Sequence, residues 1–147
     1  NTSICNICNK KIEVREVEIT KNKLKGIKPN ILIVEDTPTN AKVVQRLLKS
    51  LDCETKIVGN GELCVDEITS NDIYDLILMD NQMPIMNGPY ATKELRNKGY
   101  TLPIIGLTGN IMEDDIKYFK EKGATEVLGK PTKKTELCNI INKYLEL

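Results

Sequence analysis

The chain has 147 residues, of which 40% are hydrophobic and 29% are charged, a balance that excludes a disordered chain and favours one ordinary globular domain. Lys plus Arg and Asp plus Glu both number 21, so no overall basic field exists that would attract nucleic acid. The apolar runs reach about half a dozen residues, against the roughly 20 that a membrane span needs, so we expect no direct membrane contact.

Residues 1–29 differ in composition from the rest, because residues 11–28 are dense in charge and lack a sustained apolar period. We predict a linker there, then one domain over residues 30–147, and the initial Asn suggests a piece of a longer protein. Cys5 and Cys8 form a C-x-x-C pair, but the chain has no His and no second such pair, which disfavours a zinc site. Five cysteines without a secretory signal predict reduced thiols in the cytoplasm, whether or not the longer protein is membrane-anchored.

From residue 30 onward, short apolar segments alternate with stretches of helical spacing. Three of the segments are continuous apolar runs, which is typical of strands buried on both faces of a parallel sheet. The first helical stretch begins near Thr37-Pro38-Thr39, and its apolar residues recur at helical spacing: Val43, Val44, Leu47, Leu48 and Leu51. In chain order we predict strand 31–34, this helix, strand 54–58, a helix that contains residues 63–68, strand 75–79, helix 91–98, strand 103–107, helix 113–122, strand 126–128 and helix 133–147.

This alternation predicts an α/β fold with right-handed crossovers and a parallel sheet of five strands, covered by helices on both faces. In such sheets a ligand site lies at the carboxyl ends of the strands. The residues at those ends are Glu35 and Asp36 after the first strand, Asp80 after the third, Thr108 after the fourth and Lys130 after the fifth. The topology therefore predicts that three carboxylates, a hydroxyl and an ammonium converge on one rim.

Three neighbouring carboxylates repel one another unless a cation lies among them. A hard divalent cation with oxygen ligands suits this set, and Mg²⁺ (or Mn²⁺) leaves coordination positions for phosphate oxygens. A carboxylate held there can act as a nucleophile toward phosphorus, giving an aspartyl phosphate. An ammonium group beside it would stabilise the charge on the transferring phosphoryl oxygens.

Each of these residues also has a purely structural explanation. Asp36 or Thr108 could cap a helix N-terminus, Asp80 could simply end a strand, and Lys130 could be a solvated charge before a proline. Each explanation is plausible for one residue, but their coincidence at matching strand ends favours a shared site.

Four segments around these strand ends carry recognisable motifs, namely ILIVED at 31–36, LILMDNQMPIMNG at 76–88, PIIGLTGN at 103–110 and GATEVLGKP at 123–131. Together they resemble the receiver domain of response regulators, most closely the C-terminal receiver of a eukaryotic-type hybrid histidine kinase. The resemblance implies a flavodoxin-like, doubly wound (βα)5 fold with strand order 2-1-3-4-5.

The resemblance also implies roles for the acidic residues. Asp80 would be the phosphoacceptor. Asp36 would bind Mg²⁺ directly, Glu35 would act through a metal-bound water, and Gln82 would offer its backbone carbonyl. Gln82 would also flank the entry path and affect the rate of self-dephosphorylation.

On the other side of the site, Thr108 would be the switch hydroxyl that moves toward the phosphoryl group, and Lys130 would pair with that group. The family usually has a cis peptide after this lysine, so the bond to Pro131 is the candidate. The small Gly109 would leave space for a phosphodonor, and Asn110 would modulate dephosphorylation.

The implied function is two-component phosphorelay signalling, in which a histidine kinase or histidine phosphotransfer protein donates a phosphoryl group and no substrate is turned over as by an enzyme. The partner surface would lie near the first helix and the loop at residues 130–131. One departure concerns the usual Tyr or Phe on the fifth strand, where this chain has Val127. Val127 thus departs from the aromatic half of the usual switch, and backbone shifts would have to carry the signal.

Three alternatives remain at this point. A pseudo-receiver would act as a protein-interaction module without phosphorylation. A hydrolase with an aspartyl-phosphate intermediate would typically carry D-x-D-x at the first strand, where this chain has E-D-T-P at 35–38. Nucleic-acid binding is disfavoured by the balanced charge, and the end at Leu147 leaves no room for a DNA-binding output domain.

Overall fold

A computed structural model describes residues 28–109 and 112–145 of the chain. They form a five-stranded parallel sheet in the order β2-β1-β3-β4-β5, which confirms the predicted fold. The strands are β1 (Asn30–Val34), β2 (Glu54–Val58), β3 (Leu76–Asp80), β4 (Ile104–Thr108) and β5 (Glu126–Gly129). The helices are α1 (Pro38–Ser50), α2 (Gly61–Ser70), α3 (Gly88–Asn97), α4 (Glu113–Glu121) and α5 (Lys134–Tyr144).

The three central strands are buried on both faces because their side chains alternate between two separate hydrophobic cores. Along β1, Ile31 and Ile33 pack against α1 and α5, whereas Leu32 and Val34 pack against α2, α3 and α4. This is the physical reason for the continuous apolar runs in the sequence, since both faces of the strand need apolar side chains. The two edge strands, β2 and β5, are only partly buried.

The helices show two differences from the sequence pattern. α3 begins at Gly88 rather than at residue 91, because the Asn87 side chain accepts a hydrogen bond from the Tyr90 N–H and caps the helix, and Pro89 fits its first turn. The predicted start at residue 91 was wrong, because Asn87 and Gly88 are also typical of a loop. On α1, Val43 shares the helical spacing of its buried neighbours, yet 47% of it is exposed.

Several predictions concern residues outside the described part of the chain. The linker at 1–29, apart from its last two residues, and the pair Cys5 and Cys8 belong to this group, so the domain boundary stays a prediction. Within residues 28–109 and 112–145, no helix is long and apolar enough to cross a membrane. In the same range, Cys53, Cys64 and Cys138 are buried cysteines outside any disulfide.

Candidate functional site

The carboxyl ends of the strands open onto one pocket. Parallel strands end at the same edge of a sheet, so residues that lie far apart in sequence meet there. The pocket is lined by Glu35, Asp36, Thr37, Asn40, Asp80, Asn81, Gln82, Thr108, Gly109 and Lys130. The structure thus brings together the five residues that the sequence placed on the rim, with Gln82 and Gly109 beside them. Asn110 lies outside the described residues.

Three carboxylates form the acidic side of the pocket. Glu35, Asp36 and Asp80 each offer an oxygen atom, and these atoms lie within 4.8 Å of one another. Glu35 and Asp80 are each only 4% exposed, whereas Asp36 faces solvent. Because like charges this close oppose ionisation, the arrangement favours a bound cation. The set offers oxygen ligands only, and its one exposed member leaves room for water, so it fits a hard divalent ion such as Mg²⁺.

Lys130 supplies positive charge from the opposite side. Its Nζ lies 2.5 Å from Oδ1 of Asp80 and 3.2 Å from Oε1 of Glu35. Burial lowers the pKa of the Lys130 ammonium, but its hydrogen bonds to Asp80 and Glu35 and their charges together outweigh burial, so the pKa is raised. The lysine therefore stays charged and holds the two buried carboxylates together.

The pKa of Asp80 is raised above its ordinary value, chiefly because burial removes water from the carboxylate. The charge of Glu35 acts in the same direction. The ion pair with Lys130 and a hydrogen bond from the Asn81 backbone oppose the rise without cancelling it. A further cation beside Asp80 would favour its ionised form, which is the form that can act as a nucleophile.

Thr108 is 2% exposed at the end of β4. The side-chain amide of Asn81 donates a hydrogen bond to the Thr108 hydroxyl oxygen at 3.5 Å, which links the residue after β3 to the residue that ends β4. Asn81 was not among the site residues predicted from the sequence. Its position directly after the strand end at Asp80 was the available signal, because that position also lies on the rim.

The backbone around these side chains is held by hydrogen bonds between the strand ends. The Lys130 N–H donates to the Thr108 carbonyl at 2.8 Å, and the Asn81 N–H donates to the Leu107 carbonyl at 2.9 Å. The peptide bond between Lys130 and Pro131 is cis, as predicted. The loops that carry the lysine and the asparagine are therefore tied directly to β4.

The observed helix caps argue against the explanation that Asp36 and Thr108 serve only to cap helices. Thr37, not Asp36, occupies the N-cap of α1, and Met112, not Thr108, occupies the N-cap of α4. Lys130 is not a freely solvated charge, because 27% of its side chain is exposed and it pairs with two carboxylates. Asp36 and Thr108 therefore have no capping role that would explain their positions.

An apolar pocket adjoins the acidic one and shares Glu35, Asn40 and Lys130 with it. Its other lining residues are Val43, Val44, Leu107, Pro131 and Thr132, so it lies between α1 and the loop after β5. The exposed side chain of Val43 forms part of this surface. A partner that binds here would cover apolar surface and reach the carboxylates at the same time.

Gly109 and Val127 lie next to the site, the first in open space and the second partly buried. A Cβ atom on Gly109 would find no heavy atom within 4 Å, so the space above this residue is open. Val127 lies opposite Gly106 in the register between β4 and β5, and it is partly buried against the core formed with α2, α3 and α4.

The chain is similar to known proteins of two-component signalling. A family model for the response regulator receiver domain matches residues 31–142. The chain is 41% identical over 112 residues to two-component response regulator 24 of Arabidopsis thaliana, covering 76% of this chain and 81% of that protein. It is 33% identical over 143 residues to hybrid signal transduction histidine kinase L of Dictyostelium discoideum, covering 92% of this chain but only 8% of the kinase.

Two solved structures extend the likeness. The receiver domain of the sensor histidine kinase PA1611 of Pseudomonas aeruginosa, which has a magnesium ion in its active site cleft, superposes with a TM-score of 0.76 and 34% identity, covering 82% of this chain and 100% of that one. The receiver domain of Ssk1 of Saccharomyces cerevisiae, crystallised with the histidine phosphotransfer protein Ypd1, gives a TM-score of 0.72 and 26% identity, covering 80% of this chain and 88% of that one.

Proposed function

The chain belongs to the response regulator receiver domain family of two-component signalling, and from this premise we propose that Asp80 accepts a phosphoryl group from a phosphohistidine. The observation that carries the proposal is the contact of Lys130 with Asp80, inside a group of three carboxylates at the open end of the sheet. Asp80 is a buried carboxylate that pairs with an ammonium group at 2.5 Å and has two further carboxylates beside it. Such a concentration of charge in a pocket favours a role in phosphoryl transfer over a role in packing alone.

In the proposed step, an ionised Asp80 oxygen attacks phosphorus and a P–O bond forms. The P–N bond to the donor imidazole breaks, and its electron pair stays on that nitrogen. Because the other ring nitrogen of the donor carries a proton, the imidazole leaves as a neutral group. Lys130 stays protonated and stabilises the negative charge on the phosphoryl oxygens as they approach. Because Lys130 contacts Asp80 before the reaction, this charge is already in position and needs little rearrangement.

Asp36, Asp80 and the backbone carbonyl of Gln82 would hold Mg²⁺, with Glu35 close enough to bind one of its waters. When bound, the ion supplies charge neutralisation among the carboxylates and on the phosphoryl oxygens. Asp36 is the exposed member of the set, so the ion would enter from its side of the pocket. Glu35 is buried and also forms an ion pair with Lys130.

After transfer, the Thr108 hydroxyl would leave its contact with Asn81 and hydrogen-bond a phosphoryl oxygen. Since Thr108 ends β4 and its carbonyl accepts from the Lys130 N–H, movement of Thr108 would also move the lysine loop. Phosphorylation would thus favour the conformation in which Thr108 contacts the phosphoryl group over the one in which Thr108 contacts Asn81.

The proposed phosphodonor is a histidine kinase or a histidine phosphotransfer protein, as bound to the Ssk1 receiver. It would dock over the apolar pocket between α1 and Pro131, beside the acidic pocket. The domain would act as a phosphoacceptor and not as an enzyme with its own substrate. We place it in the cytoplasm, where the three buried thiols would remain reduced.

The test is the intact mass of the chain after incubation with acetyl phosphate, with and without Mg²⁺. We expect a gain of one phosphoryl group that requires both Mg²⁺ and Asp80, so that Asp80→Asn shows none. Asp72→Asn, which changes an exposed aspartate away from the pocket, is the matched control and should behave as wild type. A folded wild-type chain with no mass gain and no Mg²⁺ binding would instead be a pseudo-receiver.

A further inference from the structure

Helix α4 is attached to the domain mainly through one aromatic side chain. Phe119 is 0% exposed and is the one buried residue among the described residues of α4. The first turn of the helix is acidic, and most of the remaining side chains face solvent. The position of α4 on the sheet therefore depends on where this ring is seated.

The seat of the ring is made by two glycines. A Cβ atom on Gly106 would lie 2.6 Å from Cε2, 2.8 Å from Cδ2 and 2.9 Å from Cζ of Phe119. A Cβ atom on Gly88 would lie 3.0 Å from Cζ of the same ring. Any larger residue at Gly106 would have to displace the ring, because contacts this short do not occur between packed carbon atoms.

Both supports are connected to the site. Gly106 lies on β4 two residues before Thr108, so the two residues are directed to the same face of the sheet. Gly88 rests on the backbone of Asp80, since a Cβ atom there would lie 2.1 Å from the Asp80 carbonyl oxygen. The ring of Phe119 therefore lies against β4, which carries the switch hydroxyl, and against Gly88, which in turn rests on the backbone of the phosphoacceptor.

The neighbouring strand lacks the usual aromatic residue. Val127 on β5 pairs with Gly106 in register and packs in the same core as Phe119. A valine has no ring that could turn between an inner and an outer position. The aromatic ring next to Gly106 instead belongs to Phe119, which lies on helix α4 and not on β5.

We propose that Phe119 is the positioning residue that carries a displacement of Thr108 and the end of β4 to helix α4. The inference rests on the proposed function, because phosphorylation of Asp80 is the event that would move Thr108. In this chain the coupling is direct: a shift of Gly106 or Gly88 moves the surface on which the ring rests, and α4 moves with its ring.

The experiment measures hydrogen–deuterium exchange of the amides of residues 113–121, before and after phosphorylation by acetyl phosphate with Mg²⁺, while intact mass records the phosphoryl gain. We expect Phe119→Leu to retain the mass gain and to lose the phosphorylation-dependent change in exchange of α4. Leu95→Val is the control, since it removes a similar volume from the same core but on α3. It should retain both the mass gain and the response of α4.

A second arm needs no phosphorylation. Gly106→Ala should alter the exchange of α4 in the unmodified protein by pushing the ring out of its seat, and Phe119→Leu in the same chain should reverse that change by making room for the methyl group. Unchanged exchange in Gly106→Ala, or no reversal in the double variant, would overturn the inference.

The two proposals fail in different ways. A wild-type chain that gains no phosphoryl group contradicts the proposed function, and with it the signal that Phe119 would carry. Full phosphorylation of Phe119→Leu with an undiminished response of α4 contradicts the role of Phe119 alone.

Discussion

The Nζ atom of Lys130 lies 2.5 Å from Oδ1 of Asp80, although the two residues are 50 positions apart in the chain and no local pattern brings them together. The contact exists because β3 and β5 end at the same edge of a parallel sheet, on either side of β4. It gives the proposed phosphoacceptor a cation that is present before any metal or phosphoryl group arrives. The same ammonium reaches Glu35 at 3.2 Å, so its removal would leave two buried carboxylates without their shared partner.

Replacement of Lys130 by Met should slow phosphorylation by acetyl phosphate by about a hundredfold at saturating Mg²⁺, because one preorganised charge that stabilises the transferring group is lost. The measurement is the rate of mass gain. Lys143→Met is the matched control, since Lys143 also forms an ion pair, with Glu126 at 2.8 Å, away from the pocket. Equal rates for wild type and Lys130→Met would contradict the role given to this lysine.

The rim itself could be predicted from the sequence, and the reason is topological. Glu35, Asp80 and Thr108 each follow or end a continuous apolar run, and such runs become central parallel strands whose ends must meet. Once the order of elements is known, the convergence needs no knowledge of side-chain contacts. The central strands could also be recognised from their composition, since they need apolar residues on both faces.

Other features could not be predicted because they depend on pairs of residues from distant segments. The burial of Phe119 over Gly106 requires a helix and a strand to be placed side by side, and neither residue has a distinctive sequence context. The exposure of Val43 has the same origin, since its helical spacing matches that of buried Val44 and only the neighbouring elements decide which is covered. The early start of α3 at Gly88 depended on a cap that a loop-like Asn-Gly-Pro sequence conceals.

Substitution of Asp36 by Asn should weaken Mg²⁺ binding by at least about tenfold, because loss of a group that only orients a metal ligand already costs roughly 10- to 100-fold. Asp36 is exposed and caps no helix, so we expect its loss to change the stability of the fold little. Isothermal titration with MgCl₂ measures the affinity, and Asp72→Asn serves as a control for the loss of one negative charge. An unchanged affinity in Asp36→Asn would exclude this carboxylate as a ligand.

The buried thiols make a prediction about alkaline pH. Burial raises the pKa of Cys64 from 9.0 to about 12, and the charge of Glu67 acts in the same direction. Because the folded-state pKa lies above the unfolded one, the stabilisation is complete below about pH 9 and is lost as the pH rises toward 12. Each pH unit in this window should lower the free energy of unfolding by about 1.4 kcal/mol for this thiol.

Urea unfolding at several pH values between about 8 and 11 measures this effect. The variant Cys64→Ala should lose stability less steeply with pH than wild type, although its stability at about pH 8 is expected to be lower because the substitution leaves a small cavity. Parallel slopes for the two proteins would show that the Cys64 thiol ionises equally in the folded and unfolded states.

The last prediction concerns the phosphodonor and compares two apolar residues of equal exposure. Val43 on α1 is 47% exposed beside the acidic pocket, and Leu63 on α2 is 46% exposed on the other face of the sheet. Val43→Asp should slow transfer from a phosphorylated histidine phosphotransfer protein that phosphorylates the wild-type chain by about tenfold or more, since a loss of about 1.4 kcal/mol in docking has that effect. It should leave the reaction with acetyl phosphate unchanged, because this small donor needs no docking surface. Leu63→Asp should affect neither donor; if it slows transfer from the phosphotransfer protein as strongly as Val43→Asp does, the partner does not dock over α1 and Pro131.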